Sequence, residues 1–144
     1  MEIKNFDKEF VERTKKIIEN SSTIGNEYDI TLLINCMLAL VVLPVEKTNE
    51  SNKNFQDEIT NKLKEMNVVK KSTNEDSLFR AIKNALSHLH IEIKNKNGII
   101  YKIIFRDKKH NKAECHTMLE FDTNQLKDFV IFVANQHLER LSNR

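Results

Sequence analysis

The spacing of hydrophobic residues predicts helices in the first half of the chain. Apolar residues recur at helical intervals over roughly residues 3 to 20, and residues 28 to 43 are apolar almost all round a helix. The second pattern is typical of a helix at the centre of a bundle. Residues 46 to 54 are uniformly polar and predict a mobile loop, and residues 54 to 66 predict a third helix.

The helical period then gives way to the period of a strand near residue 89. Ser72, Thr73 and Asn74 are candidate N-caps for a fourth helix that runs to about His88. From Leu89 onward apolar and polar residues alternate. This alternation predicts a half-buried strand.

Turn residues organise the remaining segments into a hairpin, a further strand and a last helix. Asn97-Gly98 predicts a tight turn, with residues 99 to 106 as the returning strand. A polar turn follows, and a third candidate strand covers about residues 115 to 121. Residues 122 to 125 resemble a capping box, in which two residues cap each other at a helix start. The last helix begins there.

These segments predict a mainly α fold. We expect four or five helices in a bundle, with a small antiparallel β-sheet, a hairpin, inserted before the last helix. The chain has only two glycines and one proline, which favours long helices over a many-stranded sandwich. There is no internal repeat or dividing linker, so we expect one domain over residues 1 to 144.

Charge, hydropathy and cysteine usage indicate the cellular compartment of the protein but do not indicate its activity. Lys plus Arg number 23 against 21 Asp plus Glu, a balance too mild to indicate a nucleic-acid binder by charge alone. The longest apolar run, residues 30 to 45, is too short and too polar to span a bilayer. Cys36 and Cys115 are the only cysteines, and there is no apolar leader, so we expect a cytoplasmic protein in a reducing compartment.

The fourth predicted helix separates its polar and apolar residues sharply. Successive helical residues are rotated by about 100°. On such a wheel the apolar residues fall on one side: Leu78, Phe79, Ile82, Ala85, Leu86 and Leu89. The polar residues fall on the other: Arg80, Lys83, Asn84, Ser87 and His88. The polar group is either the solvated face of an ordinary amphipathic helix or a functional surface.

The polar face carries a sequence that resembles a known motif. Lys83-Asn84-Ala85-Leu86-Ser87-His88 is similar to the HEPN signature, an Arg followed four to six residues later by His, often written Arg-Asn-x-x-x-His. The resemblance is best over residues 78 to 105. It implies a compact helical bundle that commonly forms homodimers. Many HEPN proteins are metal-independent endoribonucleases of toxin–antitoxin, phage-defence or RNA-processing systems.

The resemblance also implies roles for individual residues. His88 takes the position of the catalytic histidine, and Asn84 takes the polar position that orients either the histidine or the RNA. Lys83 stands where the family has Arg, so it keeps the charge but lacks the planar fork that grips phosphate at two points. Arg80 and Ser87 are candidate RNA or phosphate contacts. We expect no cofactor, no membrane association, RNA and a second copy as partners, and a protein partner that neutralises the activity.

Two other chemistries fit these residues less well. A zinc site would draw on His88, His90, His110, Cys115 and His116. However, no Cys-x-x-Cys or His-x-x-x-His pair is present, and the predicted change from helix to strand need not bring His88 and His90 together. A cysteine nucleophile with the adjacent histidine as its base is disfavoured, because neighbouring strand residues point to opposite faces.

A basic cluster and two alternative functions complete the sequence-based expectations. The cluster, predicted to lie in a turn, is either a solvated loop or a non-specific phosphate contact: Arg106, Lys108, Lys109, His110 and Lys112. The first alternative function is a catalytically silent HEPN module that binds proteins, which the lysine at position 83 favours. The second is a structural bundle outside the superfamily, which a polar face far from any groove or interface would favour.

Overall fold

A computed structural model describes residues 6–20, 27–41, 50–73, 75–108 and 115–142 of the chain. Within these ranges it contains five helices, four strands and one 3₁₀ turn, Glu75–Ser77. The helices are α1 (Phe6–Glu19), α2 (Glu27–Val41), α3 (Glu50–Glu65), α4 (Leu78–Ser87) and α5 (Thr123–Ser142). The strands are β1 (Val69–Ser72), β2 (Ile91–Lys96), β3 (Ile99–Lys108) and β4 (Cys115–Phe121).

The strands form one antiparallel sheet in the order β1-β4-β3-β2. The predicted hairpin is confirmed: β2 and β3 meet at Asn97 and Gly98, whose φ angles are 55° and 80°. Two consecutive positive φ values are those of the tight turn that matches the twist of a hairpin. The mainly α class is confirmed for the described residues, but the sheet is larger than predicted. It includes β1, which precedes α4, so the sheet is not confined to the segment before the last helix.

One predicted loop is partly helical. Helix α3 begins at Glu50, so residues 50 to 54, which we predicted as loop, belong to it, while residues 46 to 49 lie outside the described part of the chain. Asn and Ser are weak helix formers, and here the packing of Phe55, Ile59 and Leu63 into the core overrides that local preference. No helix in the described ranges is long and apolar enough to cross a membrane.

The core lies between the helices and one face of the sheet. Phe105 and Phe121 of the sheet meet edge to face at 5.5 Å, and Phe121 lies 5.5 Å from Phe129 of α5. These aromatic contacts join the sheet to the last helix. The capping box is also confirmed: the Gln125 N–H donates to Asp122 Oδ1 at 2.7 Å, and the Asp122 N–H donates to Gln125 Oε1 at 3.0 Å.

A buried histidine joins α5 to the end of α2. His137 is fully buried, and Arg140 Nη2 donates to its Nδ1 at 3.1 Å. Since Nδ1 accepts this bond, a neutral ring carries its proton on Nε2, which donates to the carbonyl of Leu40. Phe55 of α3 covers the ring at 4.4 Å. His137 thus holds α5 against α2 through a hydrogen bond and against α3 through the contact with the Phe55 ring. The hydrogen bond specifies this arrangement more narrowly than apolar packing alone.

The start of α4 is capped from another helix. Ser77, directly before α4, makes no side-chain cap, and the predicted caps Ser72 and Thr73 lie upstream of the helix. Asn74 lies outside the described residues. Instead, the Phe79 N–H donates to the buried hydroxyl of Thr60 on α3 at 3.1 Å. A helix leaves its first N–H groups without intrahelical partners, and Thr60 supplies one from outside.

The end of α4 has the geometry of a Schellman motif. The Leu89 N–H donates to the Leu86 carbonyl at 3.2 Å, and the His90 N–H donates to the Ala85 carbonyl at 2.9 Å. The motif requires a left-handed residue after the helix, usually Gly. Here that residue is Leu89, with φ 52° and a side chain 67% exposed. Our prediction that Leu89 belongs to the apolar face of the helix and of the strand is therefore wrong.

Replacing Thr60 by Val should weaken the start of α4. The substitution keeps the shape of the side chain but leaves the Phe79 N–H without an acceptor, at a cost of about 1–3 kcal/mol in the free energy of unfolding. Hydrogen exchange of the Phe79 amide should also become faster. The matched control, Thr60→Ser, keeps the hydroxyl and should leave that exchange slow. Equal protection in the Val and Ser variants would contradict the capping role.

Replacing Leu89 by Gly should stabilise the protein. A left-handed backbone costs a non-glycine residue about 1–2 kcal/mol, and Gly removes that cost while losing little apolar burial at an exposed position. We expect the free energy of unfolding, from urea titration, to rise by about 1 kcal/mol. The control Glu139→Gly, at an exposed site inside α5, should lower it by about 0.5 kcal/mol. A decrease for Leu89→Gly would show that the leucine side chain makes a stabilising contact.

Candidate functional site

The polar residues predicted on the fourth helix do share one surface of α4. Arg80, Lys83, Ser87 and His88 are exposed, and Asn84 is half-buried. The opposite side of the helix is buried against the core by Leu78, Phe79, Ala81, Ile82, Ala85 and Leu86. The amphipathic division that the sequence predicted is therefore present in the fold, apart from Leu89.

Helix geometry brings some of these side chains together and separates others. Asn84 and His88 lie four residues apart and about 40° apart around the axis, so their side chains are neighbours, and the His88 N–H donates to the Asn84 carbonyl at 3.1 Å. Lys83 lies about 140° from His88 around the same axis. Arg80 lies about 12 Å from His88 along it. Within one chain both cations precede the histidine along the helix and lie on the same side of it around the axis, so neither of them faces it.

Two imidazoles meet where α4 ends. The rings of His88 and His90 are stacked, with centroids 5.8 Å apart and planes inclined by 30°. Our expectation that these side chains need not converge is therefore wrong, and the reason is the left-handed residue between them. Leu89 turns the backbone, so that the residues on either side of it present their rings to the same region. His88 is exposed and His90 half-buried.

A charged pair on the sheet adjoins His90. The Arg106 N–H donates to the His90 carbonyl at 3.0 Å, and Arg106 Nη1 lies 2.7 Å from Glu92 Oε2. The hydrogen bond from Arg106, with the positive charges of Arg106, Lys94 and Lys108, holds the pKa of Glu92 below its usual value. Glu92 is therefore ionised at neutral pH.

The basic cluster is not a turn in its described part. Arg106 and Lys108 lie in β3, because the strand continues two residues beyond the predicted end. Lys109, His110 and Lys112 lie outside the described residues. Arg106 therefore has a fixed position beside the histidine pair.

Metal and thiol chemistry receive no support from the described side chains. No group of three or more His, Cys, Asp or Glu side chains there could hold a metal ion. Of the zinc candidates, His88 and His90 come together, whereas His110 and the Cys115 side chain lie outside the described set. Cys36 is buried, and burial raises the pKa of its thiol, which disfavours the reactive thiolate.

Three members of this surface were not predicted to lie on it: Glu92, His90, which was named only as a zinc candidate, and Arg106, which was placed in the basic cluster. The pairing of Glu92 with Arg106 follows from the hairpin register, in which Glu92 lies opposite Ile104, two residues from Arg106 on the same face. Counting back from the Asn97-Gly98 turn would not have found it, because an irregularity between Lys94 and Asn95 shifts the register by one residue. The histidine stack had no sequence signal either, because position 89 holds a residue that rarely adopts a left-handed conformation.

Comparisons with known proteins agree with the motif on α4. A family model described as HEPN pEK499 p136 matches residues 1–144. No curated protein and no solved structure matches the chain. The match covers every residue of the chain, including the helix with the Lys-Asn-x-x-x-His sequence and the sheet that follows it. The chain therefore belongs to the HEPN pEK499 p136 family.

Proposed function

We propose that this HEPN protein is a metal-independent endoribonuclease. The observation that carries the proposal is the stack of His88 and His90 at the exposed end of α4, next to Asn84, with two exposed cations, Arg80 and Lys83, earlier on the same helix. Two imidazoles within one site provide two groups that can accept and donate protons. RNA cleavage through its own 2′-OH requires one proton acceptor and one proton donor, and no metal ion.

The reaction divides between the two histidines. A neutral imidazole removes the proton of a ribose 2′-OH, whose oxygen attacks the adjacent phosphorus. The bond from phosphorus to the 5′-oxygen breaks, and a protonated imidazole donates its proton to that oxygen. The products are a 2′,3′-cyclic phosphate and a 5′-OH end. Both rings contact reacting atoms in this scheme, and His88 is the more exposed of the two.

The remaining polar residues bind and orient the substrate. Lys83 and Arg80 neutralise the charge of the phosphate backbone along the part of α4 that leads to the histidine. Ser87, exposed in the last turn of α4, donates a hydrogen bond to phosphate or ribose. Asn84 holds His88 in position from one turn earlier. Because Lys83 and His88 diverge around the helix, a phosphate that needs both cation and imidazole is best bound in a groove between two copies.

The biological setting that fits this activity is toxin–antitoxin or phage defence in the cytoplasm. A nuclease without base-specific contacts damages the host unless it is restrained. We therefore expect a protein partner that neutralises the enzyme by covering the exposed end of α4. The exposed Leu89, beside His88, gives such a partner an apolar contact within the site.

The histidine pair can be tested on labelled RNA with EDTA present. Wild type should cleave, and His88→Ala should lose about 10²–10⁴-fold in rate, because proton transfer in the transition state contributes about that much. His90→Ala should lose a comparable factor. The control Lys71→Ala changes an exposed lysine on β1 and should cleave as wild type. Unchanged cleavage by a folded His88→Ala protein would reject the proposal.

Changing Lys83 to Arg should raise the cleavage rate. The guanidinium fork contacts a phosphate at two points, whereas the ammonium contacts it as a single charge. The rate should also fall for Lys83→Ala, and the order Arg above Lys above Ala is the expected result. A Lys83→Arg rate at or below wild type would show that the site has adapted to lysine.

A second candidate function is a catalytically silent HEPN module that binds proteins. Lysine in the arginine position and the exposed Leu89 favour it. Absence of cleavage by wild type over varied substrates and concentrations, together with retained binding of a partner protein, would select this function. Pull-down with a Leu89→Ser control would then map the binding surface.

A further inference from the structure

Strand β2 has an unpaired edge. Among the described residues its only strand neighbour is β3. The Arg106 N–H bonds to the His90 carbonyl, so the backbone groups of His90, Glu92 and Lys94 point towards β3. In an antiparallel ladder the alternate residues point the other way. The N–H and C=O groups of Ile91 and Ile93 therefore point outward, as a template for another strand.

We propose that two copies of this chain pair through their β2 strands, antiparallel about a two-fold axis at Ile93. The result is one continuous eight-stranded sheet. At the axis the N–H of each Ile93 donates to the carbonyl of the partner's Ile93. This pairing uses backbone groups that the monomer leaves pointing outward.

Charge favours the register with its axis at Ile93 over the registers with their axes at Glu92, Lys94 or Asn95. Glu92, Lys94 and Lys96 share the outer face of the sheet, away from the core. An axis at Ile93 places Glu92 opposite the partner's Lys94, twice. An axis at Glu92 places two glutamates together, and an axis at Lys94 or at Asn95 places lysines together. A shift by one residue relative to the partner would also turn the apolar face outward.

Apolar burial favours the same register. Ile93 is 41% exposed although it lies on the core side of the sheet, because no strand of the described part of the chain pairs with this edge of β2. The axis at Ile93 places each isoleucine directly against the partner's Ile93, and cross-strand apolar pairs stabilise a sheet. The lysines of β2 discourage pairing with unrelated strands. Among the registers compared, only the axis at Ile93 places each Glu92 opposite a lysine of the partner.

The paired strands also complete the histidine site, an inference that rests on the proposed function. In this register His90 lies opposite the partner's Lys96, on the same face of the sheet. The ammonium group therefore approaches the His88–His90 stack from the other chain. Each dimer contains two such sites. The partner's Lys96 supplies a cation near His88. Lys83 of the same chain does not, because it lies about 140° from His88 around the axis of α4.

The interface can be tested by measuring mass against concentration with analytical ultracentrifugation. Wild type should dimerise. Lys94→Glu and Glu92→Lys should each raise the dissociation constant by at least about tenfold, because like charges then face each other. An equimolar mixture of the two variants should form a heterodimer, since their charges complement each other. The control Lys71→Glu makes the same charge change on β1, the opposite edge, and should dimerise as wild type.

Ile93→Cys tests the position of the axis without a charge change. Directly opposed residues of a hydrogen-bonded pair have Cα atoms about 5.5 Å apart, which suits a disulfide. Mild oxidation should produce a covalent dimer, whereas Tyr101→Cys, exposed on β3, should not. A monomeric wild type at all concentrations, or equal cross-linking of both variants, would overturn the proposed interface.

The dimer and the nuclease can fail separately. Lys96→Ala should keep the dimer mass and lower the cleavage rate, with His88→Ala as the inactive reference. RNA cleavage by a protein that stays monomeric would reject the interface and leave the proposed nuclease standing. A dimer that the charge variants disrupt, but that cleaves no RNA, would retain the interface and reject the nuclease.

Discussion

The left-handed backbone at Leu89 determines how the helical and β parts of this protein are joined. It closes the last turn of α4 with two hydrogen bonds, to the carbonyls of Leu86 and Ala85, and sends the chain directly into β2. The same turn places His88 and His90 side by side. A bulky residue in this conformation costs free energy, and such cost concentrates at functional sites. The exposed Leu89 side chain offers no compensating burial. A strained and exposed leucine beside the histidine pair therefore marks this turn as part of the candidate site.

The rest of the fold holds this turn in place from both sides. Thr60 of α3 caps the start of α4, so the orientation of the helix is fixed at the end opposite the histidines. Beyond the turn, β2 is anchored to β3 through His90 and through the contact of Glu92 with Arg106. Helix α5 contacts the sheet through the rings of Phe129 and Phe121, and it contacts the end of α2 through His137. The histidine pair therefore sits on rigid elements at an exposed boundary, an arrangement that preorganises a site.

Much of the fold could be predicted from the sequence, because its signals are local. The Asn97-Gly98 turn, the capping box at Asp122 and the amphipathic face of α4 each depend on residues within a few positions of one another. The failures have long-range causes. Strand β1 is short and pairs with a strand some 50 residues later, as the partners Val69 and Leu119 show. The cap of α4 comes from another helix, and the left-handed residue at position 89 carries none of the usual sequence signs.

The sequence predicted which residues of α4 form the candidate site, but it did not predict how their side chains are arranged. The motif places His88 beside Asn84 by helical spacing alone, but the same spacing turns Lys83 away from the histidine. A single chain thus separates the imidazole from the motif's cation. Phosphate chemistry needs the two together, because charge on the phosphate must be stabilised where the proton moves. The proposed pairing through β2 would supply the missing cation from a second copy, since the outward-pointing backbone of β2 ends at the histidine stack. In that dimer the partner's Lys96 would share the phosphate-binding task that we assign to Lys83.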